Sequence, residues 1–362
     1  MLFSNVKLDS VISSHKPVPH GGLYSISNPQ PEILDFSSNI NPLGPSSKVL
    51  KTIKNQLRTI KIYPDSDSLK LRKDLQNYTK IPLSQIVVGN GATEIIYNFC
   101  KSFLSKKTTV LIPIPTFGEY EAASKLAGTK VEFYKTMDLK KEIDNFILKL
   151  PTNGCIFICN PNNPTGHLLS KKDLKKIIIT AKKKNTLVFV DECFIELVPN
   201  YEESIIKLVK KYDNLFVLRS LTKSFGLAGL RIGYGIGSKK LISILNQIKI
   251  PWNVSGLAQH AASAAISDPN YLEKTNKVIH TELNYLKDNI SKLENFTCFD
   301  SVTNFILIKT KLKSSLLQQK LLKKKILIRD CSNFRGLNKN YIRVAVKTRK
   351  ENQKLLQELK KL

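Results

Sequence analysis

Short apolar runs alternate with helical segments through the middle of this chain, and this alternation restricts the possible folds more than any other feature. Runs with strand character lie at residues 86–88, 109–112, 131–134, 155–159, 187–190, 215–218 and, interrupted by glycine, 231–236. Segments with helical spacing separate several of them, for example 92–104 and 171–184. Strands that alternate with helices are typical of an α/β domain whose mostly parallel sheet carries helices on both faces. We expect seven strands in this sheet.

The ends of the chain differ from its middle. A length of 362 residues is too great for one simple core and suits two packed domains. Residues 1–38, rich in Pro, Gly, Ser and Asn, are predicted to form an irregular arm that packs with the smaller domain, and Pro42 and Pro45 disfavour a helix just after it. The large domain is expected at 39–250. A smaller α+β domain is expected at 251–362, with helices at 256–266, 271–293, 313–323 and 350–359 and strands at 304–308, 326–329 and 341–346.

The net charge of +28 suggests nucleic acid or an acidic surface as a partner. However, only eight of the 57 basic residues are arginine, and the lysines are spread over the predicted helices. Base readout and bidentate phosphate contacts favour arginine. We therefore predict a lysine-rich solvated surface that binds no nucleic acid and can help to steer an anionic substrate.

Hydropathy and cysteine spacing exclude other classes. No apolar run approaches the roughly 20 residues of a membrane span, and no apolar stretch follows a basic start, so a cytoplasmic protein without membrane contact is expected. The six cysteines include no CxxC pair, and Cys155 and Cys159 lie in a predicted buried strand. We predict reduced core thiols and no metal site.

Polar clusters follow four of the predicted strands, where functional groups gather in a parallel α/β sheet. They are the Gly-rich turn 89–94, the Asn-Pro turn 160–166, the acidic pair Asp191-Glu192 and the stretch 220–235 around Lys223. Each alone is compatible with an ordinary turn or surface charge. Together they predict one site in which Lys223, among apolar residues, acts as a nucleophilic amine beside a phosphate cradle.

Two of these stretches carry a specific resemblance. The tract TKSFGLAGLRIGY at 222–234 and NPNNPTG at 160–166 resemble the fold-type I pyridoxal-phosphate (PLP) superfamily, in the branch that contains histidinol-phosphate aminotransferase and threonine-phosphate decarboxylase. The resemblance covers about residues 20–346. It implies that Lys223 carries PLP covalently, that Asp191 pairs with the ring nitrogen and that Asn163 bonds the phenolic oxygen. It also implies that Phe117 stacks on the ring, and that the phosphate is held by Ala92, Thr93, Ser220, Thr222, Arg231 and, from the partner subunit of a homodimer, Tyr63.

The resemblance also assigns substrate contacts for a small phosphorylated amino acid. Arg343 matches the arginine that receives a substrate carboxylate, and Arg329 matches an arginine for substrate phosphate. His20, Gly22 and Asn41 are further candidates, together with Asn163. Five of the eight arginines, at 219, 231, 329, 335 and 343, lie in or beside these motifs, which favours anion recognition by planar bidentate groups.

The reaction is predicted from a position at which this chain differs from the usual aminotransferase pattern. Aminotransferases of this branch usually have a tyrosine three residues after the aspartate, whereas this chain has Phe194. The His20-Gly21-Gly22 arm and the segments 35–44 and 328–334 also resemble the decarboxylase subgroup. We predict decarboxylation of O-phospho-L-threonine to (R)-1-aminopropan-2-yl phosphate, a precursor of the cobalamin side chain. The alternatives are a histidinol-phosphate aminotransferase that uses 2-oxoglutarate and, on charge alone, a non-catalytic nucleic-acid-binding protein.

Overall fold

The structure is a computed structural model that describes residues 10–199 and 201–362, so the first nine residues of the predicted arm lie outside the described residues. The strands are β1 (Leu34–Asp35), β2 (Ile86–Gly89), β3 (Thr109–Ile114), β4 (Lys130–Lys135), β5 (Cys155–Cys159), β6 (Leu187–Asp191), β7 (Leu215–Ser220), β8 (Gly233–Gly237), β9 (Phe296–Cys298), β10 (Phe305–Thr310), β11 (Ile326–Leu327), β12 (Arg329–Asp330) and β13 (Tyr341–Ala345). The α-helices are α1 (Ser10–Ser14), α2 (Ser47–Gln56), α3 (Leu69–Thr79), α4 (Gly91–Phe103), α5 (Glu119–Leu126), α6 (Ile143–Leu148), α7 (Lys171–Lys183), α8 (Leu221–Ser224), α9 (Lys239–Ile248), α10 (Gly256–Ile266), α11 (Pro269–Ile290), α12 (Ser314–Leu322) and α13 (Arg349–Leu359).

The large sheet has seven strands in the order β2-β8-β7-β6-β5-β3-β4. Strands β7, β6, β5, β3 and β4 run parallel, while β8 is antiparallel to both of its neighbours, β2 and β7. The predicted mostly parallel seven-stranded sheet is therefore confirmed. The reversal at β8 was not predicted, because strand direction is not encoded in an apolar run.

Alternation of side chains along the strands explains how helices cover both faces. In β6, Val188 and Val190 point to a core shared with α3, α7 and α10. Phe189 of the same strand points to the opposite core, shared with α4, α5 and α9. A strand buried on both faces has to be apolar at nearly every position, and this requirement makes the runs visible in the sequence.

A smaller four-stranded sheet, in the order β12-β13-β10-β9, packs with α11, α12 and α13. The run predicted at 326–329 is divided. Ile326 and Leu327 pair in parallel with Leu34 and Asp35 of the arm, and the chain then changes sheets so that Arg329 and Asp330 pair with β13. One apolar run thus serves two sheets, which its length alone does not reveal.

Helix α10 lies elsewhere than predicted. The sequence placed it in the small domain that begins at residue 251, but its alanines pack against α2 and α3 in the core of the large sheet. An Ala-rich helix permits close approach on several sides and so gives little indication of its partner. None of the helices in the described ranges combines the length and apolarity that crossing a bilayer requires.

Candidate active site

A cavity of about 1300 Å³ opens at the carboxyl ends of β5, β6 and β7 and is bounded on the other side by the N-terminal arm and the small sheet. It brings together most of the residues predicted from the sequence. Those that line it are His20, Ala92, Thr93, Phe117, Asn163, Asp191, Ser220, Thr222, Lys223, Arg231, Arg329 and Arg343.

Lys223 lies on the single turn of α8, directly after β7. The Ser220 hydroxyl begins this turn by accepting a hydrogen bond from the Thr222 backbone N–H at 3.2 Å. Burial, followed by the positive charge of Arg343, lowers the pKa of Lys223 to about 8. A fraction of the amine is therefore in its neutral, nucleophilic form near physiological pH.

Asp191 ends β6 in the floor of the cavity, with 5% of its surface exposed. Its Oδ2 accepts a hydrogen bond from the Tyr120 hydroxyl at 2.7 Å, and its Oδ1 accepts one from the Cys193 backbone N–H at 2.8 Å. Burial raises the pKa of Asp191, and these bonds oppose that rise by stabilising the carboxylate. Sequence reasoning missed Tyr120; its only signal is its position three residues after Phe117 on the same side of the cavity.

The amino end of α4 faces Arg231. Gly91, the first residue of α4, has φ +79°, and a Cβ placed on it would lie 2.7 Å from Arg231 Nη2, so a side chain here would fill the space beside the guanidinium. Ala92 and Thr93 follow in the first turn, where free backbone N–H groups and the helix dipole favour an anion. With Ser220 and Thr222 in the same cavity, these groups fit a phosphate, and Lys223 and Asp191 fit the remainder of PLP.

Arg343, on β13, is 6% exposed. Its Nη1 donates to Asn163 Oδ1, and its Nη2 donates to the Ser37 carbonyl at 2.8 Å. Among the described residues its buried Nε has no hydrogen-bond partner. Burial lowers the pKa of Arg343 to about 10, which still leaves a cation at neutral pH. A buried guanidinium with an unpaired donor beside the cavity has the charge and the hydrogen-bonding capacity to bind an anion.

His20 and Arg329 form part of the outer wall. His20 Nε2 lies 2.6 Å from Glu119 Oε1. Arg329 Nη2 donates to the Pro19 carbonyl at 2.7 Å and to Asn333 Oδ1 at 3.1 Å. The arm is thus attached to both sides of the cavity, and the predicted phosphate arginine is in contact with the arm.

Three predicted residues lie outside the cavity lining. Tyr63 is 80% exposed and packs against Trp252, with 4.9 Å between ring centroids and the rings tilted by 35°. The backbone N–H of Gly22 donates to the Ser37 hydroxyl. The side chain of Asn41 is 3% exposed and engaged with other residues, whereas Asn39 lines the cavity with a buried Oδ1 that has no partner among the described residues. Direct substrate contact by Gly22 and Asn41 remains a prediction that this geometry does not support.

Two of the five arginines offered for anion recognition have other partners. Arg219 is fully buried and forms ion pairs with Glu192 at 2.8 Å and Glu196 at 3.2 Å. Arg335 is on the cavity wall but donates from Nε and Nη2 to both oxygens of Glu121. The sequence argument was wrong for these two because proximity to a motif does not indicate which anion an arginine meets.

Comparisons with known proteins agree with this geometry. The family model described as aminotransferase class I and II matches residues 31–359. A protein of Caldanaerobacter subterraneus subsp. tengcongensis, named as a threonine-phosphate decarboxylase, is 40% identical over 96% of this chain and 94% of its own length.

Two solved structures are similar over 91% of this chain. The histidinol-phosphate aminotransferase of Clostridium acetobutylicum has 33% identity and a TM-score of 0.83, with 98% of its chain covered. The L-threonine-O-3-phosphate decarboxylase of Porphyromonas gingivalis has 27% identity and a TM-score of 0.82, with 99% covered. The predicted superfamily and fold type are confirmed, and with them the cofactor: the chain belongs to the class I and II aminotransferase family, whose enzymes depend on PLP.

Proposed function

We propose that this enzyme decarboxylates O-phospho-L-threonine to (R)-1-aminopropan-2-yl phosphate. The observation that carries the proposal is the wall beside Lys223. The Lys223 Nζ lies 5.9 Å from the ring centroid of Phe194. The Phe194 ring packs edge-on against Phe305, with 5.2 Å between ring centroids. The position where aminotransferases of this branch usually place a tyrosine hydroxyl is therefore apolar, which supports a site adapted to lose a carboxylate rather than to transfer an amine.

The positive charges of the cavity support a substrate with two anionic groups. Arg329 and Arg343 are cross-strand partners on β12 and β13, so both project from the same face of the small sheet. Two cations placed opposite each other repel unless anions bind between or beside them. In the proposal, Arg329 holds the phosphate of phosphothreonine, and Arg343 orients its carboxylate. The arm, through His20, covers the phosphate side.

PLP, when bound, withdraws electrons from a bond to the substrate Cα. Asp191, held as a carboxylate by Tyr120 and the Cys193 N–H, would keep the ring nitrogen protonated. The arginines would place the carboxylate for departure as CO₂. A proton replaces it at Cα, and Lys223 Nζ, whose pKa near 8 allows it to hold a proton or release it, would deliver that proton.

One assay separates this activity from the main alternative. The purified PLP-bound enzyme is incubated with phosphothreonine or histidinol phosphate, each with and without 2-oxoglutarate. The proposal predicts CO₂ and 1-aminopropan-2-yl phosphate from phosphothreonine without any keto acid. Turnover of histidinol phosphate that requires 2-oxoglutarate, with no CO₂ from phosphothreonine, would instead establish the aminotransferase, which the 33% identity to the Clostridium structure favours.

We also propose a homodimer. The segment around Tyr63 exposes large apolar side chains, and Tyr63 itself packs against the half-exposed Trp252. The exposed residues of this surface are Leu57, Ile60, Ile62, Tyr63, Ile250 and Trp252. Large apolar side chains exposed on neighbouring segments favour an interface. Light scattering after size exclusion should give twice the chain mass, and Ile60→Lys combined with Ile62→Lys should give monomers.

A further inference from the structure

The turn that carries Lys223 is fixed by its neighbour, Ser224. This residue is fully buried and hydrogen-bonded on two sides. Its hydroxyl donates to Glu196 Oε2 at 2.6 Å, and its carbonyl accepts a hydrogen bond from Asn41 Nδ2 at 2.8 Å. A helix of only four residues has little stability of its own, so bonds to the rest of the protein hold α8 in place. These two side-chain bonds act at its carboxyl end, and the Leu221 backbone N–H, at its amino end, donates to the Ile232 carbonyl.

Glu196 belongs to a buried cluster that joins the two cofactor-facing strand ends. Arg219, near the end of β7, donates to Glu192, which directly follows Asp191, and to Glu196. The bond from Ser224 to Glu196 therefore ties the Lys223 turn to the same cluster that anchors the Asp191 turn. Buried, hydrogen-bonded charge clusters of this kind impose one geometry, because an unpaired member would be costly.

Asn41 provides the second attachment. Besides Ser224, its Nδ2 contacts Thr275 Oγ1 at 3.0 Å on α11, and its Oδ1 accepts the Leu43 backbone N–H at 2.9 Å. The chain after Asn41 presses on the end of the same turn: Gly226 has φ +70°, and a Cβ on it would lie 2.5 Å from the Gly44 carbonyl. The polar groups of Asn41 are thus used within the protein.

We propose that Ser224 and Asn41 are positioning residues that hold the Lys223 turn, so that the lysine amine keeps one orientation and stays shielded from water. The inference rests on the proposed role of Lys223 as the cofactor-bearing lysine, but not on the choice between decarboxylation and transamination. It gives Asn41 a role through Lys223 in place of the direct substrate contact expected from the sequence.

The test is a pH titration of the absorption band of the lysine–cofactor linkage in the purified PLP-bound protein, without substrate. Ser224→Ala and Asn41→Ala should loosen the turn and admit water, which stabilises the protonated form of the lysine–cofactor linkage. The midpoint should rise by about 0.5–1 pH unit in both variants. Ser204→Ala is the matched control. The Ser204 hydroxyl bonds Glu192 at 3.0 Å in the same cluster but lies away from the Lys223 turn, so its midpoint should move by less than about 0.2 unit.

Kinetics and melting complete the test. With whichever substrate the wild-type enzyme turns over in the assay above, Ser224→Ala should lower kcat about tenfold and change KM less than about twofold, because the reacting amine rather than the binding arginines is disturbed. A lowered melting temperature with an unmoved midpoint would reduce Ser224 to a structural residue and overturn the inference. An Asn41→Ala variant that raises only KM would overturn it for Asn41. A wild-type protein without the band would instead refute the cofactor assignment of Lys223, and the inference with it.

Discussion

Arg329 and Arg343 lie directly opposite each other on neighbouring antiparallel strands, although they are fourteen positions apart in the chain. Their environments differ. Arg343 is buried and bonded to Asn163 and Ser37, whereas Arg329 is half-buried and bonded to the arm. The two cations therefore differ in exposure: Arg343 is buried in the cavity wall, whereas Arg329 is partly exposed and bonded to the Pro19 carbonyl and Asn333. In the proposed function, a substrate anion would replace the Pro19 carbonyl at Arg329.

Removal of the Arg329 side chain should weaken phosphate binding. A hydrogen-bonded charge contributes about 1.5–3 kcal/mol, so Arg329→Ala should raise KM for phosphothreonine about tenfold to a hundredfold, with a smaller effect on kcat. Steady-state kinetics with phosphothreonine measure this KM, and the same kinetics with a substrate that lacks the phosphate provide the comparison. Arg335→Ala is the matched control on the same wall. Its guanidinium is already occupied by Glu121, so KM should change less than about twofold. Equal effects of the two variants would contradict the assignment.

Tyr120→Phe should weaken cofactor binding. The variant removes the Tyr120 hydrogen bond to Asp191, so the pKa of this carboxylate rises further and the carboxylate is held less firmly toward the ring nitrogen. We expect the Kd for PLP to increase about tenfold, corresponding to about 1.4 kcal/mol. Equilibrium dialysis of the apoenzyme measures it. Tyr134 lies on the far strand β4 and donates a similar hydrogen bond to Glu142. Tyr134→Phe removes this bond and should leave the Kd for PLP unchanged.

The lowered pKa of Lys223 gives a pH dependence with a defined sign. Only the neutral amine attacks the cofactor aldehyde, so the rate of covalent attachment to the apoenzyme should rise with pH and level off above about 8, the folded-state pKa. Stopped-flow absorbance between pH 6 and 10 records it. A midpoint near the ordinary lysine value of about 10.4 would show that the amine is solvated, contrary to the structure.

Arg219→Leu should be strongly destabilising. It leaves Glu192 and Glu196 buried without their cation, and the loss of one partner of a buried ion pair costs about 3–5 kcal/mol. Burial already raises the pKa of Glu196. Protonation of Glu196 at low pH removes the unpaired charge, so the difference in free energy of unfolding between the variant and the wild type should be smaller there. Denaturant unfolding at two pH values measures this. Lys70→Ala, which breaks the exposed pair with Asp74, should cost less than about 0.5 kcal/mol.

The sequence predicted the parts of the site that depend on the order of strand and turn. Lys223, Asp191 and Asn163 all follow apolar runs, and parallel strands bring such positions to one edge of the sheet. Their convergence on one cavity follows from local pattern plus topology. The resemblance then added roles that no spacing contains, and those roles stay predictions until the variants above are measured.

Non-local contacts could not be read from the sequence. Asn39 and Asn41 are two positions apart and have similar neighbours in the sequence, yet of the two only Asn39 lines the cavity. Which of them does so depends on the packing of this segment against α11 and the Lys223 turn. Arg219 likewise looks like a ligand arginine, and only the burial of Glu192 and Glu196 beside it reveals a structural cation.

Phe194→Tyr tests the proposed reaction at the residue on which it depends. The substitution adds one hydroxyl to a ring that already lies near Lys223 Nζ and packs edge-on against Phe305. A hydroxyl there restores the hydrogen-bond donor that aminotransferases of this branch carry. We expect the ratio of transamination to CO₂ release to rise at least about tenfold, equivalent to about 1.4 kcal/mol of differential barrier. The measurement is product analysis with phosphothreonine and 2-oxoglutarate. If Phe194→Tyr loses both activities equally while the melting temperature is unchanged, the missing hydroxyl does not select the reaction, and the decarboxylase proposal loses its principal support.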